Sequence, residues 1–121
     1  MALDTQSVGK NMNELLVLAT LRGGARHGYQ IALEVEARSG GAFELQHGTL
    51  YPILHRLERD RLIRGEWQVD GARRRKQYVL TRAGERRLGE GTTQVRDTLE
   101  RLISVLTESS DDALRARPAT G

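Results

Sequence analysis

Apolar residues recur at helical spacing through the first half of the chain. Between Met12 and Leu21 they return every three or four positions, which predicts an amphipathic helix that ends before Gly23-Gly24. A second helical pattern covers residues 28–38 and stops at Gly40-Gly41. A third covers residues 49–61. Three short helices are therefore predicted before residue 62.

The third predicted helix carries both a buried stripe and a polar face. Thr49 is expected to cap its free amides, and Pro52 falls in the first turn, where a missing backbone donor costs little. The helical spacing places one set of side chains towards the core, namely Leu50, Ile53, Leu54 and Leu57. It turns another set away from most of that stripe, namely Tyr51, His55, Arg56 and Arg59.

The period then changes from helical to alternating. Apolar and polar residues alternate from Ile63 to Asp70, Asp70-Gly71 is a turn signal, and residues 77–80 are rich in β-formers. A β-hairpin is predicted, with the four cations of residues 73–76 at its tip and Trp67 packing the hairpin onto the helices.

A long last helix follows, with Thr81 as its predicted cap. Its apolar positions have heptad-type spacing, and because the seam is short it needs a partner surface; the residues are Leu88, Val95, Leu99, Leu102 and Leu106. The predicted organisation is a first domain over residues 1–81, a dimerisation helix over 82–108 and a flexible tail over 109–121.

Composition narrows the class of protein. A chain of 121 residues without cysteine has no disulfide and no thiolate metal site, and 4% aromatic residues leave few large side chains for a core. The longest apolar run has five residues, whereas a membrane-spanning helix needs about 20. We expect a soluble, cytoplasmic protein with no membrane partner, whose small core would benefit from association with a second subunit.

Charge is unevenly distributed. Residues 49–87 hold 11 Lys and Arg against 5 Asp and Glu, a net charge of +6, so that the other residues of this +3 chain carry −3. A basic central region favours a polyanionic partner, although a solvated basic face without a partner would give the same arithmetic.

The order helix, helix, helix, hairpin, long helix is that of a winged helix-turn-helix with an added dimerisation helix, a mainly α fold with one β-hairpin. Such a fold places its recognition helix, here residues 49–61, in the major groove of DNA. A basic hairpin can reach the neighbouring groove or the phosphate backbone.

Several sequence motifs support this interpretation. The segments His27-Gly28-Tyr29, Gly48-Thr49-Leu50-Tyr51-Pro52 and Arg73-Arg74-Arg75-Lys76-Gln77-Tyr78, in this order, closely resemble the PadR family of bacterial transcriptional regulators, and the shorter subgroup with a single C-terminal helix. The resemblance covers residues 12–106. It implies a homodimeric repressor that binds an inverted repeat in double-stranded DNA, with a small hydrophobic effector near the dimer interface.

The candidate DNA-binding residues come from three segments. Tyr29 and Gln30 open the supporting helix, which crosses the DNA backbone in this fold. Thr49, Tyr51, His55 and Arg56 belong to the recognition helix, and a half-buried core position remains the other interpretation of Tyr51. The hairpin adds Arg73, Arg74, Arg75 and Lys76, of which at least one is expected to be merely exposed.

Two other classes of function remain to be weighed. An enzyme would need catalytic residues or a metal site, but the chain has no phosphate-binding loop, serine elbow or paired-histidine motif. We therefore predict no catalytic residue, cofactor or metal. A protein-interaction adaptor could use the same fold without touching DNA, and a salt-dependent gel shift would separate the two.

Overall fold

The computed structural model describes residues 5–107, with side chains from residue 12 onward. The elements in chain order are α1 (Thr5–Leu21), β1 (Arg26–His27), α2 (Gly28–Arg38), α3 (His47–Arg59), β2 (Ile63–Asp70), β3 (Arg73–Leu80) and α4 (Arg82–Thr107). The predicted winged helix-turn-helix with a long final helix is confirmed. The predicted tail over residues 109–121 lies outside the described residues.

The first three helices and the hairpin enclose one hydrophobic core. Its centre is the leucine-rich face of α3, which packs against α1 and α2. Because one face of each helix is buried, apolar residues recur at helical spacing in the sequence. Leu18, Ile31 and Leu54 are completely buried. The core residues are Val17, Leu18, Leu21, Ile31, Val35, Leu45, Leu50, Ile53, Leu54, Leu57, Ile63, Tyr78 and Leu88.

Three helix boundaries differ from the prediction. α1 begins at Thr5 instead of Met12, and α3 ends at Arg59 instead of residue 61. α3 also begins two residues early, so that Gln46 is its N-cap and Thr49 lies inside the first turn, where its amide donates to the carbonyl oxygen of Gln46. The prediction that Thr49 caps this helix is therefore wrong.

The sheet has three antiparallel strands in the order β1-β3-β2, of which β1 was not predicted. Two residues, Arg26 and His27, pair with Tyr78 and Gln77, and a segment this short carries no periodic signal. β3 begins at Arg73, four residues before the predicted strand, because Asp70 pairs with Arg73 around a two-residue turn. The basic run is thus part of a strand and not a loop at the tip.

Thr81 caps α4, as predicted, and also ties that helix to the two residues that precede β2. Its hydroxyl accepts a hydrogen bond from the amide of Gly84 at 3.0 Å and lies 2.8 and 2.9 Å from the carbonyl oxygens of Arg61 and Leu62. The capping interaction satisfies an amide that the helix itself leaves free.

The chain divides into two compact units, and the division falls within α4, between Gly89 and Glu90. The sequence predicts a boundary between residues 81 and 82. The difference arises because Leu88 is only 3% exposed and belongs to the core of the first unit. Its predicted place in a dimer seam is therefore wrong. In the second unit Val95 is half-buried, and Leu99, Leu102, Ile103 and Leu106 are exposed.

An ion pair fixes the hairpin against α3. Nζ of Lys76 in β3 donates to Oε1 of Glu58 in α3 at 2.8 Å. The pair passes over Gly65 of β2, where a Cβ atom would collide with the Lys76 side chain and lie 2.9 Å from Glu58 Oε2. A larger residue at position 65 would require the ends of the Lys76 and Glu58 side chains to shift.

The hydrogen bond to Glu58 raises the pKa of Lys76 above its ordinary value of 10.5, against an opposing effect of burial. A raised lysine pKa means that the stabilisation is complete below pH 10.5 and is lost as the pH rises through the pKa of the folded state. Because both side chains are roughly a third exposed or less, we expect the pair to contribute below about 1 kcal/mol.

Replacing Glu58 with Gln should move the pKa of Lys76 back towards 10.5, because the charged acceptor is lost. The pKa can be followed by NMR titration of the Lys76 side chain. The stability difference between the two proteins, measured by chemical denaturation, should be constant near neutral pH and should vanish in strong alkali. The matched control is Glu66→Gln, which removes a carboxylate paired with Arg64 elsewhere on the hairpin. An unchanged Lys76 titration in Glu58→Gln would contradict the role of the pair.

Candidate nucleic-acid interface

The start of α2, the polar face of α3 and one face of the hairpin surround an open cavity of about 540 Å³. Seven of the ten residues predicted to bind DNA line it, and these are Tyr29, Gln30, Tyr51, His55, Arg74, Arg75 and Lys76. Four further residues complete the lining, namely His27, Gly28, Trp67 and Tyr78. The structure therefore brings together side chains that are up to 47 positions apart in the sequence, from Tyr29 to Lys76.

The side chains at the start of α2 are held locally. The amide of His27 donates to Oε1 of Gln30 at 2.9 Å, which fixes the Gln30 side chain over the first turn. Tyr29 is 71% exposed. Neither α2 nor α3 has an acidic residue in its first turn, so that the positive ends of both helix dipoles are not offset there.

Tyr51 is partly buried in the core and partly accessible, so it combines features of the two roles considered for it, a core position and a DNA contact. Its ring stacks on His47 with centroids 4.8 Å apart, and its hydroxyl lies against Gly28, where no side chain intervenes. It also packs on the core while its remaining surface lines the cavity. His55, one turn further along α3, is exposed.

The hairpin register divides the four cations between two faces. Lys76 pairs with Trp67 and Arg74 with Val69, so these side chains share one face, while Arg73 and Arg75 start from the other. The guanidinium of Arg74 lies 4.7 Å from the centroid of the Trp67 ring, and Lys76 Nζ lies 5.8 Å from it. Arg75 nevertheless reaches the cavity.

Trp67 does not pack the hairpin onto the helices, and that prediction is wrong. Its side chain is 57% exposed and is covered by Arg74 instead of by apolar residues. The two-residue turn signalled by Asp70-Gly71 fixes a register that puts Trp67 opposite Lys76. Counting back from that turn would have located the tryptophan among the cations.

Three predicted residues lie outside the cavity. Thr49 and Arg73 are exposed elsewhere, and Nε of Arg56 donates to Oε1 of Glu14 in α1 at 3.0 Å, with a quarter of the side chain exposed. The Arg56 pair joins α1 to α3. By contrast, Arg73, Arg74 and Arg75 have no carboxylate partner within the part of the chain that the structure describes.

Tyr78 is a lining residue that the sequence did not single out. It is only 3% exposed, and burial raises the pKa of its phenol above the ordinary value of 10.0. Tyr78 lies opposite Gly65 and two residues from Lys76 along β3, so its side chain is on the same face of the sheet as that of Lys76.

Within residues 5–107 no three His, Asp or Glu side chains are grouped as metal ligands would be. No helix in the same range is long and apolar enough to cross a membrane.

Known proteins are similar to this chain in sequence and in fold. A transcriptional regulator of Mycobacterium tuberculosis is 39% identical over 66 residues, which are 54% of this chain and 49% of that protein. An uncharacterized protein of Lysinibacillus sphaericus is 33% identical over 66 residues, or 61% of its length. The chain thus spans about half to three fifths of these relatives.

Two solved structures are informative. A PadR family transcriptional regulator of Eggerthella lenta is 32% identical with a TM-score of 0.69, and the match covers 78% of this chain and 80% of that one. Bacillus subtilis PadR, solved in complex with operator DNA, is 26% identical with a TM-score of 0.61, and the match covers 65% of this chain and 46% of that one.

The sequence of residues 17–90 matches the transcriptional regulator PadR-like family. That segment contains α2, α3 and the hairpin, which are the elements that build the cavity. The chain belongs to the PadR-like family of transcriptional regulators.

Proposed function

We propose that this regulator binds double-stranded DNA as a homodimer, with α3 in the major groove and the hairpin on the flanking backbone. The observation that carries the proposal is the concentration of unpaired cations, Arg74 and Arg75, beside the exposed face of α3. Neighbouring arginines without carboxylate partners repel one another, and a polyanion offsets that repulsion.

The likeness to Bacillus subtilis PadR, which was solved in complex with operator DNA, supports DNA as the partner. The uncompensated helix starts favour phosphate, because free amides and the helix dipole both attract anions. In this proposal Tyr29 and Gln30 contact the backbone, and Tyr51 and His55 face the base edges. Arg74 and Arg75 contact the phosphates flanking the groove, while Lys76, whose charge Glu58 offsets, lies beside them and holds the hairpin against α3. Thr49 lies at the start of α3, and Arg73 extends the contact along the hairpin. Arg56 supports α3 from behind through Glu14.

A single recognition helix reads few base pairs, so two copies related by a two-fold axis would read an inverted repeat with half-sites about 34 Å apart. The exposed apolar residues Leu99, Leu102 and Leu106, together with Val95, are the proposed contact between copies. Bound at a promoter, such a dimer would repress transcription, and a small hydrophobic effector between the copies would release it.

Replacing Arg74 and Arg75 together with Ala should weaken binding to all duplex sequences, because the lost contacts are to phosphates. The slope of log K against log salt should become shallower by about 0.9 for each phosphate no longer neutralised. Fluorescence anisotropy with a random-sequence duplex at several salt concentrations measures both quantities.

The control for the arginine pair is Arg64→Ala with Arg59→Ala, which removes the same charge from exposed positions outside the cavity lining. Equal losses in the two double variants would indicate a general charge effect. Unchanged binding in Arg74→Ala with Arg75→Ala would remove the hairpin from the proposal.

Replacing Leu99 and Leu102 with Glu should produce monomers, because burying two carboxylates at an interface is costly. Analytical ultracentrifugation measures the mass, and the same protein should lose specific DNA binding. The control, Arg101→Gln with Ser104→Glu, changes the net charge equally on the opposite side of the helix. A dimer that survives the leucine changes would place the interface elsewhere.

A further inference from the structure

We propose that His27 and His47 contact DNA alongside His55, and that all three histidines make these contacts in their protonated form. Proton uptake then accompanies DNA binding, and the affinity rises as the pH falls. The inference rests on the proposed DNA-binding function and adds two residues to the contacts given there.

All the histidines of the sequence lie at the proposed DNA-binding surface. The chain has three of them. His27, directly before α2, and His55 in α3 line the cavity. His47 is the first residue of α3 and stacks on Tyr51, which also lines the cavity. His47, Tyr51 and His55 follow one another at intervals of four residues, so they share one side of α3.

The groups that face these histidines supply no counter-ion for a charged imidazole. The hairpin presents Arg74, Arg75 and Lys76 to the cavity, and Lys76 already binds Glu58. Glu44 lies three positions before His47 and is exposed. The other titratable groups of the lining are the phenols of Tyr29, Tyr51 and Tyr78.

No histidine forms an ion pair with a carboxylate within the part of the chain that the structure describes. His47 and His55 are exposed and His27 is half-buried, so each can be reached from outside. A bound polyanion would therefore supply the counter-ions that these protonated side chains lack.

The contacts of His27 show why the charged form is needed. Its Nδ1 atom lies 3.4 Å from the carbonyl oxygen of Lys76. A carbonyl oxygen only accepts hydrogen bonds, so a hydrogen bond here places the ring proton on Nδ1. In the neutral ring Nε2 is then an acceptor and cannot donate to a phosphate oxygen. The protonated ring donates from both nitrogens, so a contact from Nε2 to phosphate requires uptake of a proton.

The two exposed histidines of α3 meet acceptors in the same way. Phosphate oxygens and the N7 and O6 atoms of guanine accept hydrogen bonds and do not donate them. A neutral imidazole offers one donor to such a surface, whereas an imidazolium offers two donors and a positive charge. Protonation of His47 and His55 therefore strengthens contacts to the backbone and to guanine alike.

Linkage fixes the sign of the pH dependence. A phosphate beside an imidazole favours its charged form, so the histidines hold protons more tightly in the complex than in the free protein. Protonation must then strengthen DNA binding by the same factor. The gain is complete below the pH at which free histidines take up protons, about 6.5 for this residue type, and is lost as the pH rises above it. Because exposed ion pairs contribute little, we expect about threefold for each histidine and about thirtyfold for all three.

Fluorescence anisotropy with a labelled random-sequence duplex at constant ionic strength measures this gain. The full-length chain, without a polyhistidine tag that would titrate in the same range, should bind about thirtyfold more tightly at about pH 5.5 than at about pH 8. Calorimetric titration in two buffers of different ionisation enthalpy should show uptake of about one proton per chain near pH 6.8. The slope of log K against log salt should be steeper at the lower pH by about 0.9 for each histidine that meets a phosphate.

Glutamine variants assign the effect, because glutamine can form hydrogen bonds but does not titrate. Replacing all three with His27→Gln, His47→Gln and His55→Gln should reduce the ratio of the affinities at the two pH values from about thirtyfold to within about twofold. Each single variant should lower the ratio about threefold. A side chain with a merely structural role would change the affinity equally at both pH values and leave the ratio intact.

The matched control is Arg64→Gln, which removes a charge from an exposed position outside the cavity lining and should keep the full ratio. Near-ultraviolet circular dichroism at both pH values checks that each variant is folded. A ratio that persists in the triple variant, or equal affinities of the unaltered chain at the two pH values, would overturn the protonated contacts and leave the proposed function standing.

An unchanged ratio in both His27→Gln and His47→Gln would overturn the two added contacts. A chain that binds no duplex at any pH or salt concentration would overturn the proposed function, and the histidine contacts with it.

Discussion

The contact between Glu58 and Lys76 joins α3 to the strand that carries the cations, and these are the two elements that build the proposed interface. Two elements that are 18 residues apart in sequence are held with a separation of 2.8 Å between their charged atoms. Gly65 permits that approach by contributing no side chain. The pair also neutralises Lys76, so the hairpin presents fewer free charges than its sequence of four cations implies.

The other cations of the hairpin lie close together, so their charges repel one another in the isolated protein. Arg74 lies over Trp67, which replaces part of its hydration with an aromatic surface, and Arg75 has no described carboxylate partner. Like charges on adjacent residues repel, although solvent and salt screen much of that repulsion, and a polyanion that contacts both arginines would offset the remainder. This is the opposite of Arg56, whose charge is used within the fold to join α3 to α1 through Glu14. Arginine therefore has two roles in α3 and the hairpin. An arginine beside a carboxylate joins elements of the fold, and an arginine without one leaves its charge available to a ligand.

Sequence patterns predicted the elements better than the contacts. The helical spacing of Leu50, Ile53, Leu54 and Leu57 identified α3 because these residues are buried together, and alternation identified the hairpin for a similar reason. The pairing of Arg56 with Glu14 joins positions 42 residues apart and leaves no local trace. The strand β1 has two residues and no period, and Leu88 continues a heptad spacing although it is buried in the domain core. Tertiary packing determines the Arg56–Glu14 pair, the pairing of β1 and the burial of Leu88. The local periodicity of the sequence carries no information about such packing.

The central claim is that the start of α2, α3 and the hairpin form one surface for DNA. It is tested most directly by following the backbone amides in ¹H–¹⁵N NMR spectra while a short random-sequence duplex is added at low salt. The account predicts that the largest shift changes fall in residues 27–30, 47–55 and 67–76, while residues 99–106 change little. Changes concentrated in residues 99–106, or none in residues 67–76, would contradict it.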